Sequence, residues 1–134
     1  MNIKQLTAAD LMTSQIISIG PNETLRTAAR LLNKHHIHCL VVPLADRQRC
    51  VGVITTKDIV QVLCDGEPKH LDQLLVQDAM TSPSVSVQKR FSILDCVQLM
   101  RMAGVRSAPV LDGVELVGLL SFTDVLRAAA IEPQ

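Results

Sequence analysis

The chain has 134 residues, of which 48% are apolar, with six glycines and six prolines; this is the composition of a globular chain, not a disordered one. Thirteen Lys and Arg balance thirteen Asp and Glu, which argues against a protein that grips nucleic acid by neutralising phosphates. No apolar run approaches the length of a membrane span and Met1 is not followed by a signal-like segment, so the expected compartment is the cytoplasm.

Elements follow from hydrophobic period. "IISI" at residues 16–19 predicts a short strand. Leu25, Ala28, Ala29 and Leu32 then recur at i, i+3, i+4 and i+7, the spacing of a helix with one buried face. "IHCLVV" from Ile37 and "CVGVI" from Cys50 predict two strands joined by the polar turn "LADRQR". A second helix follows, with Ile59, Val60 and Leu63 as its apolar row. Residues 66–75, with Gly66 and Pro68, predict a linker.

The same order then returns. "SVSV" at 84–87 predicts a strand, and Ile93, Cys96, Val97 and Met100 a helix. "VRSAPV" and "ELVGLL" predict strands turned by Asp112-Gly113, a strong hairpin signal. The last helix carries Val125, Leu126 and Ala129. The recurrence holds residue by residue: "DLMT" at 10–13 matches "DAMT" at 78–81 with an offset of 68. After the hairpin the offset is 66, with Gly52, Thr55 and Asp58 matching Gly118, Ser121 and Asp124. A constant register with one two-residue step marks a duplicated unit with a trimmed loop. The division is residues 6–65, a linker at 66–75, and residues 76–130. The expected class is α/β, a β-α-β-β-α unit written twice.

Thr55-x-x-Asp58 and Ser121-x-x-Asp124 fit the capping box, in which hydroxyl and carboxylate satisfy the free amides of a helix start. The same groups suit a nucleotide. A helix start attracts phosphate, and a carboxylate one turn on can accept hydrogen bonds from the vicinal hydroxyls of a ribose. Capping and binding can share these groups.

The doubled DxMT, helix, strand-turn-strand and G-h-h-T/S-x-x-D pattern resembles a tandem pair of CBS domains, a Bateman module, over nearly the whole chain. The resemblance implies two pseudo-symmetric repeats packed sheet to sheet, forming a regulatory module and not an enzyme. It implies an adenosine-containing ligand (AMP, ADP, ATP or S-adenosylmethionine) in clefts between the repeats, with no cofactor required. Asp58 and Asp124 match the family's ribose-contacting aspartate, and Thr55 and Ser121 its hydroxyl contact. Base contacts are implied at Ile16, Ile17, Ser84 and Val85 and in the strand after the first helix, where Ser107 and Pro109 lie. His38 and Arg106 match the position that faces phosphate. Arg106 is permanently charged and His38 is not at neutral pH, so the better phosphate position is expected at Arg106. A homodimer is implied through the helices that carry Ile59, Val60, Leu63, Val125, Leu126 and Ala129, with a separate regulated protein as a further partner and no nucleic acid or membrane.

Two rival readings are weaker on the residues. "HHIHC" (His35, His36, His38, Cys39) offers metal-ligand types, but His38 and Cys39 point to opposite faces of a strand and the second repeat has no ligands there, so no metal site is assigned. No nucleophile elbow, P-loop or H-E-x-x-H motif supports catalysis. A dimerisation or partner-binding scaffold without a nucleotide is the alternative.

Overall fold

The structure is a computed structural model and describes residues 2–43, 51–82 and 84–131. In chain order it contains a 3-10 turn (Ile3–Gln5), α1 (Ala8–Leu11), α2 (Leu25–His35), β1 (Cys39–Pro43) and β2 (Val51–Thr55). Then come α3 (Thr56–Asp65), α4 (His70–Gln73), α5 (Val76–Ala79), β3 (Val87–Gln88), α6 (Ile93–Ala103), β4 (Ser107–Asp112), β5 (Glu115–Ser121) and α7 (Phe122–Ile131). The α/β class and the repeated helix–strand–strand–helix order are as the sequence predicts. No helix among the described residues is long and apolar enough to cross a membrane.

The chain divides into two compact units that do not follow the sequence repeats: residues 17–84 form one, and residues 1–16 with 85–134 form the other. Each opening DxMT segment is hydrogen-bonded to the last strand of the other repeat, so each unit is built from parts of both. In the unit of residues 17–84, Thr81 and Val53 exchange both backbone bonds, at 2.9 and 3.0 Å. In the other unit Thr13 and Leu119 do the same at 2.9 Å.

Each unit has its own buried cluster. Leu25, Ala28, Leu32, Leu40, Val42, Ile54, Ile59, Leu71 and Val76 fill one. Ala8, Val87, Ile93, Cys96, Met100, Ala108, Val110 and Leu120 fill the other. The helical period read from the sequence therefore marks the buried faces of α2 and α6. Thr24 and Ser92 cap these two helices by accepting from Thr27 and Asp95 amides, which fixes where each begins. At the other end Gly104 adopts a left-handed φ of 71°, and His36 holds the same region with φ 52°.

The first strands are shorter than predicted. Residues 16–19 contribute one parallel bridge, Ser18 to Val41, and "SVSV" yields only β3, paired with Val110 and Leu111. Proline explains part of this. Val41 donates to the Ile17 carbonyl at 3.1 Å, whereas Pro109, at the matching place in β4, has no N–H to give. On its other side Pro109 faces Leu119, whose own backbone groups turn outward to Thr13, so no ladder bond is lost there.

The second hairpin turns one residue later than predicted. Asp112 pairs with Glu115 in the ladder and the loop is Gly113-Val114, with the left-handed φ of 64° on Gly113. The predicted polar turn at residues 44–49 lies outside the described residues, as does Cys50.

Residues 66–75 are more than a tether. Leu71 is buried in the first core, and the Asp72 carboxylate accepts two bonds from the Arg26 guanidinium, each at 3.1 Å. That pairing draws the Asp72 pKa below its ordinary value, the hydrogen bond from Arg26 being the largest cause.

The predicted apolar rows of α3 and α7 divide. Ile59 is 5% exposed and belongs to the core, and Val125 packs against the other core. Both are therefore corrected out of the outward-facing row. Val60, Leu63, Leu126 and Ala129 remain exposed.

Candidate functional site

The repeated glycine, hydroxyl and carboxylate form one local assembly. A side chain on Gly52 would come within 3.0 Å of Met80 Sδ and 3.2 Å of the Thr81 carbonyl oxygen. At Gly118 it would run into Met12 and lie 3.1 Å from the Thr13 carbonyl. Glycine is required because the DxMT backbone crosses the strand at that point. Two motifs far apart in the sequence are thus two faces of one contact.

At the start of α3 the capping box is complete. Asp58 Oδ2 accepts from the Thr55 amide at 2.8 Å and from Thr55 Oγ1 at 2.9 Å, while Thr55 Oγ1 accepts from the Asp58 amide at 3.2 Å. The start of α7 repeats it: Asp124 Oδ2 accepts from the Ser121 amide at 2.9 Å and Ser121 Oγ at 3.0 Å, and Ser121 Oγ accepts from the Asp124 amide at 3.2 Å.

The first amide of each helix is also engaged. Thr56 N donates to the His38 carbonyl at 3.0 Å and Phe122 N to the Arg106 carbonyl at 2.9 Å. These bonds hold the two predicted phosphate-facing residues at the helix starts. They also leave the second amide, of Lys57 or Thr123, as the donor of each first turn without a partner among the described residues, fewer than the bare helix start that the motif alone suggests.

The other carboxylate oxygen distinguishes the two copies. Asp124 is 8% exposed, and its Oδ1 accepts from Thr13 Oγ1 and from Arg127 Nη1, both at 3.4 Å. Asp58 is half-buried, and its Oδ1 has no partner among the described residues. Asp58 also lines an open groove of about 400 Å³ shared with Gln61, Asp65, His70 and Asp78.

The remaining predicted residues fall by unit. Ile17, His38, Thr55, Asp58 and Ser84 lie in the unit of residues 17–84, and Ile16, Val85, Arg106, Ser107, Pro109, Ser121 and Asp124 in the other. Ser107 pairs with Ser121 at the end of the β4–β5 ladder, beside Asp124. Ser84 is fixed to the Val51 carbonyl by both its amide and its hydroxyl at 3.0 Å. Ile17 packs against the first core. Pro109 is fully buried, so its ring offers no surface to a ligand. His38, which precedes β1, is exposed, and Cys39 is buried like the next three residues of β1, so the expected alternation of the two across strand faces is not what separates them. Burial pushes the Cys39 thiol up to about 12, with the nearby Asp58 charge adding to it.

Sequence reasoning missed Thr13 and Arg127. The DxMT repeat is visible, but nothing in it says that Thr13 meets a carboxylate 111 residues away. Arg127 is legible only by comparison with Gln61, its counterpart 66 residues earlier.

A family profile, CBS domain, matches residues 8–65 and 76–131. The CBS domain-containing protein YhcV of Bacillus subtilis is 29% identical over 117 residues, covering 87% of this chain and 80% of its own. A hexameric CBS-CP12 protein from bloom-forming cyanobacteria is similar in structure, with TM-score 0.84 and 28% identity over 90% of this chain and 66% of its own. The CBS domain pair of protein MJ0100, solved in complex with 5′-methylthioadenosine and S-adenosyl-L-methionine, gives TM-score 0.79 over 92% of this chain and 95% of its own. At 22% identity this last likeness concerns the fold.

Proposed function

We propose that this chain, which belongs to the CBS domain family, is a regulatory module that binds an adenosine-containing small molecule and passes on its presence. The reading rests on one observation above all: a hydroxyl and a carboxylate stand together at a helix start, twice, with a carboxylate oxygen of Asp58 unpartnered among the described residues. A carboxylate oxygen so placed accepts from a ribose hydroxyl, and neighbouring Thr55 or Ser121 supplies a further polar contact. His38, Ser84 and Ile17 would complete one site, and Ile16, Val85, Arg106 and Ser107 the other, with phosphate preferred at Arg106. The binding of adenosine compounds by MJ0100, a CBS pair of the same fold, agrees with this ligand class. Residues 6–65 and 76–130 are the two proposed repeats, joined by 66–75, and the proposed compartment is the cytoplasm.

Such a module signals only if the ligand prefers one arrangement of the protein over another. The proposed assembly is a homodimer built on α3 and α7, acting on a separate regulated protein. The exposure of Val60 (47%) and Leu126 (68%) favours an assembly surface, and it equally suits the second reading, a scaffold without a nucleotide.

One preparation separates the two. Without Trp or Tyr the protein is almost dark at 280 nm, so a co-purified adenine dominates the spectrum near 260 nm. Absorbance at 260 nm, or a thermal shift with AMP, ATP or S-adenosylmethionine, supports the sensor. A phenylalanine-only spectrum with no shift across the panel supports the scaffold.

A further inference from the structure

Building on the nucleoside reading above, we infer that Arg127 and Thr13 weaken the Asp124 site for an uncharged nucleoside relative to the Asp58 site. In both copies Oδ2 is committed to the helix cap, so a ribose diol must reach Oδ1. At Asp58 that oxygen has no partner among the described residues. At Asp124 it is held by the Thr13 hydroxyl and the Arg127 guanidinium, each at 3.4 Å. A diol arriving there must displace both; the guanidinium bond is charge-assisted but long, and its donor is 70% exposed, so it holds the oxygen modestly. The Asp124 carboxylate itself is 8% exposed, while the displaced Thr13 and Arg127 side chains are exposed and return to water.

The cause lies in one position of each helix. Gln61 and Arg127 are counterparts three residues after the aspartate. Gln61 finds an acceptor four residues on and donates to Asp65 Oδ2 at 3.0 Å, turning away from Asp58. The counterpart of Asp65 is Ile131, which offers Arg127 nothing, so the guanidinium turns back onto Asp124. Thr81, the counterpart of Thr13, uses its backbone on Val53 and makes no side-chain bond to Asp58 among the described residues. The asymmetry is therefore independent of the His38 and Arg106 contrast, which concerns phosphate.

Calorimetric titration of the full chain with adenosine, which carries no phosphate, tests this. The wild type is expected to show one stronger site per chain and a second weaker by up to about fivefold, the scale of an exposed ion pair. R127Q, which removes the guanidinium charge, is expected to strengthen the second site toward the first, the bond from Thr13 to Asp124 remaining. D58N should remove the stronger site, and D58N/R127Q should retain one. Arg127 is 70% exposed, so R127Q is expected to fold, and its unfolding midpoint checks this. Two equal sites in the wild type, or a weak site unmoved by R127Q, overturns the inference and leaves the nucleoside reading intact. No binding of adenosine, AMP or S-adenosylmethionine to any of these proteins overturns both.

Discussion

Gly118 lies against Met12, so the DxMT segment of one repeat can cross the last strand of the other only at a residue without a side chain. Gly52 meets Met80 and Thr81 in the same way. Gly118→Ala is expected to destabilise by about 1–3 kcal/mol, the usual cost of forcing an added carbon into a packed site. The Met12 side chain can shift, but the Thr13 carbonyl at 3.1 Å is backbone. Gly52→Ala should cost less, since its nearest contact is 3.0 Å to the flexible Met80 side chain. Urea midpoints of the two variants check the order, and Met12→Ala combined with Gly118→Ala should recover part of the loss.

Asp58→Ala removes a helix cap and is expected to cost about 0.5–2 kcal/mol without any ligand. Asp124→Ala should cost somewhat more, roughly 1–3 kcal/mol, because it also removes the bond from Thr13, whose exposed hydroxyl then turns to water. Chemical denaturation in the absence of ligand measures both. Equal losses would mean that the Thr13 bond contributes nothing.

What the sequence made legible was whatever depends on local period and on the duplication itself. The buried faces of α2 and α6 follow from spacing, and the capping boxes follow from the hydroxyl and carboxylate three residues apart. Three things were not legible. Gly52 and Gly118 read as matched positions of a repeat, and nothing in them announced that Met80 and Met12 pack against them. Ile59 read as part of an outward row, but the helix turns it into the core. The hairpin signal at Asp112-Gly113 named the right residues and missed the register by one, because Asp112 still pairs with Glu115.

Residues 66–75 offer a direct test of how far a predicted linker can be structural. Leu71 is 5% exposed within the first core, so Leu71→Ala is expected to destabilise by about 2–5 kcal/mol. Asp72→Ala breaks the two bonds from Arg26 at the surface and should shift stability far less, with the small effect fading at high salt. A Leu71→Ala midpoint equal to the wild type would show that this segment is dispensable to the fold.

The buried thiols predict a pH dependence with a definite sign. Burial raises Cys39 to about 12 and Cys96 to about 11, each from a usual value of 9.0, with the charges of Asp58 and Asp95 adding to the respective shifts. Below pH 9 both folded and unfolded chains keep these protons, and the thiols leave stability unchanged. From pH 9 upward the unfolded chain ionises while the folded chain does not, so the folded state binds more protons and stability falls with rising pH. The decline is at most about 1.4 kcal/mol per pH unit for each thiol and ends near pH 11 for Cys96 and pH 12 for Cys39. Unfolding midpoints at pH 8 and pH 10.5 for the wild type, Cys39→Ala and Cys96→Ala isolate the effect from titrating lysines. Each variant should fall less steeply than the wild type. The same protons protect the thiols: at pH 8 iodoacetamide should modify exposed Cys64 in the folded protein and spare Cys39 and Cys96 until it is unfolded. Peptide mapping that found Cys39 alkylated as fast as Cys64 would mean that the strand beside Asp58 opens readily, and the rigid carboxylate geometry at that site would not hold.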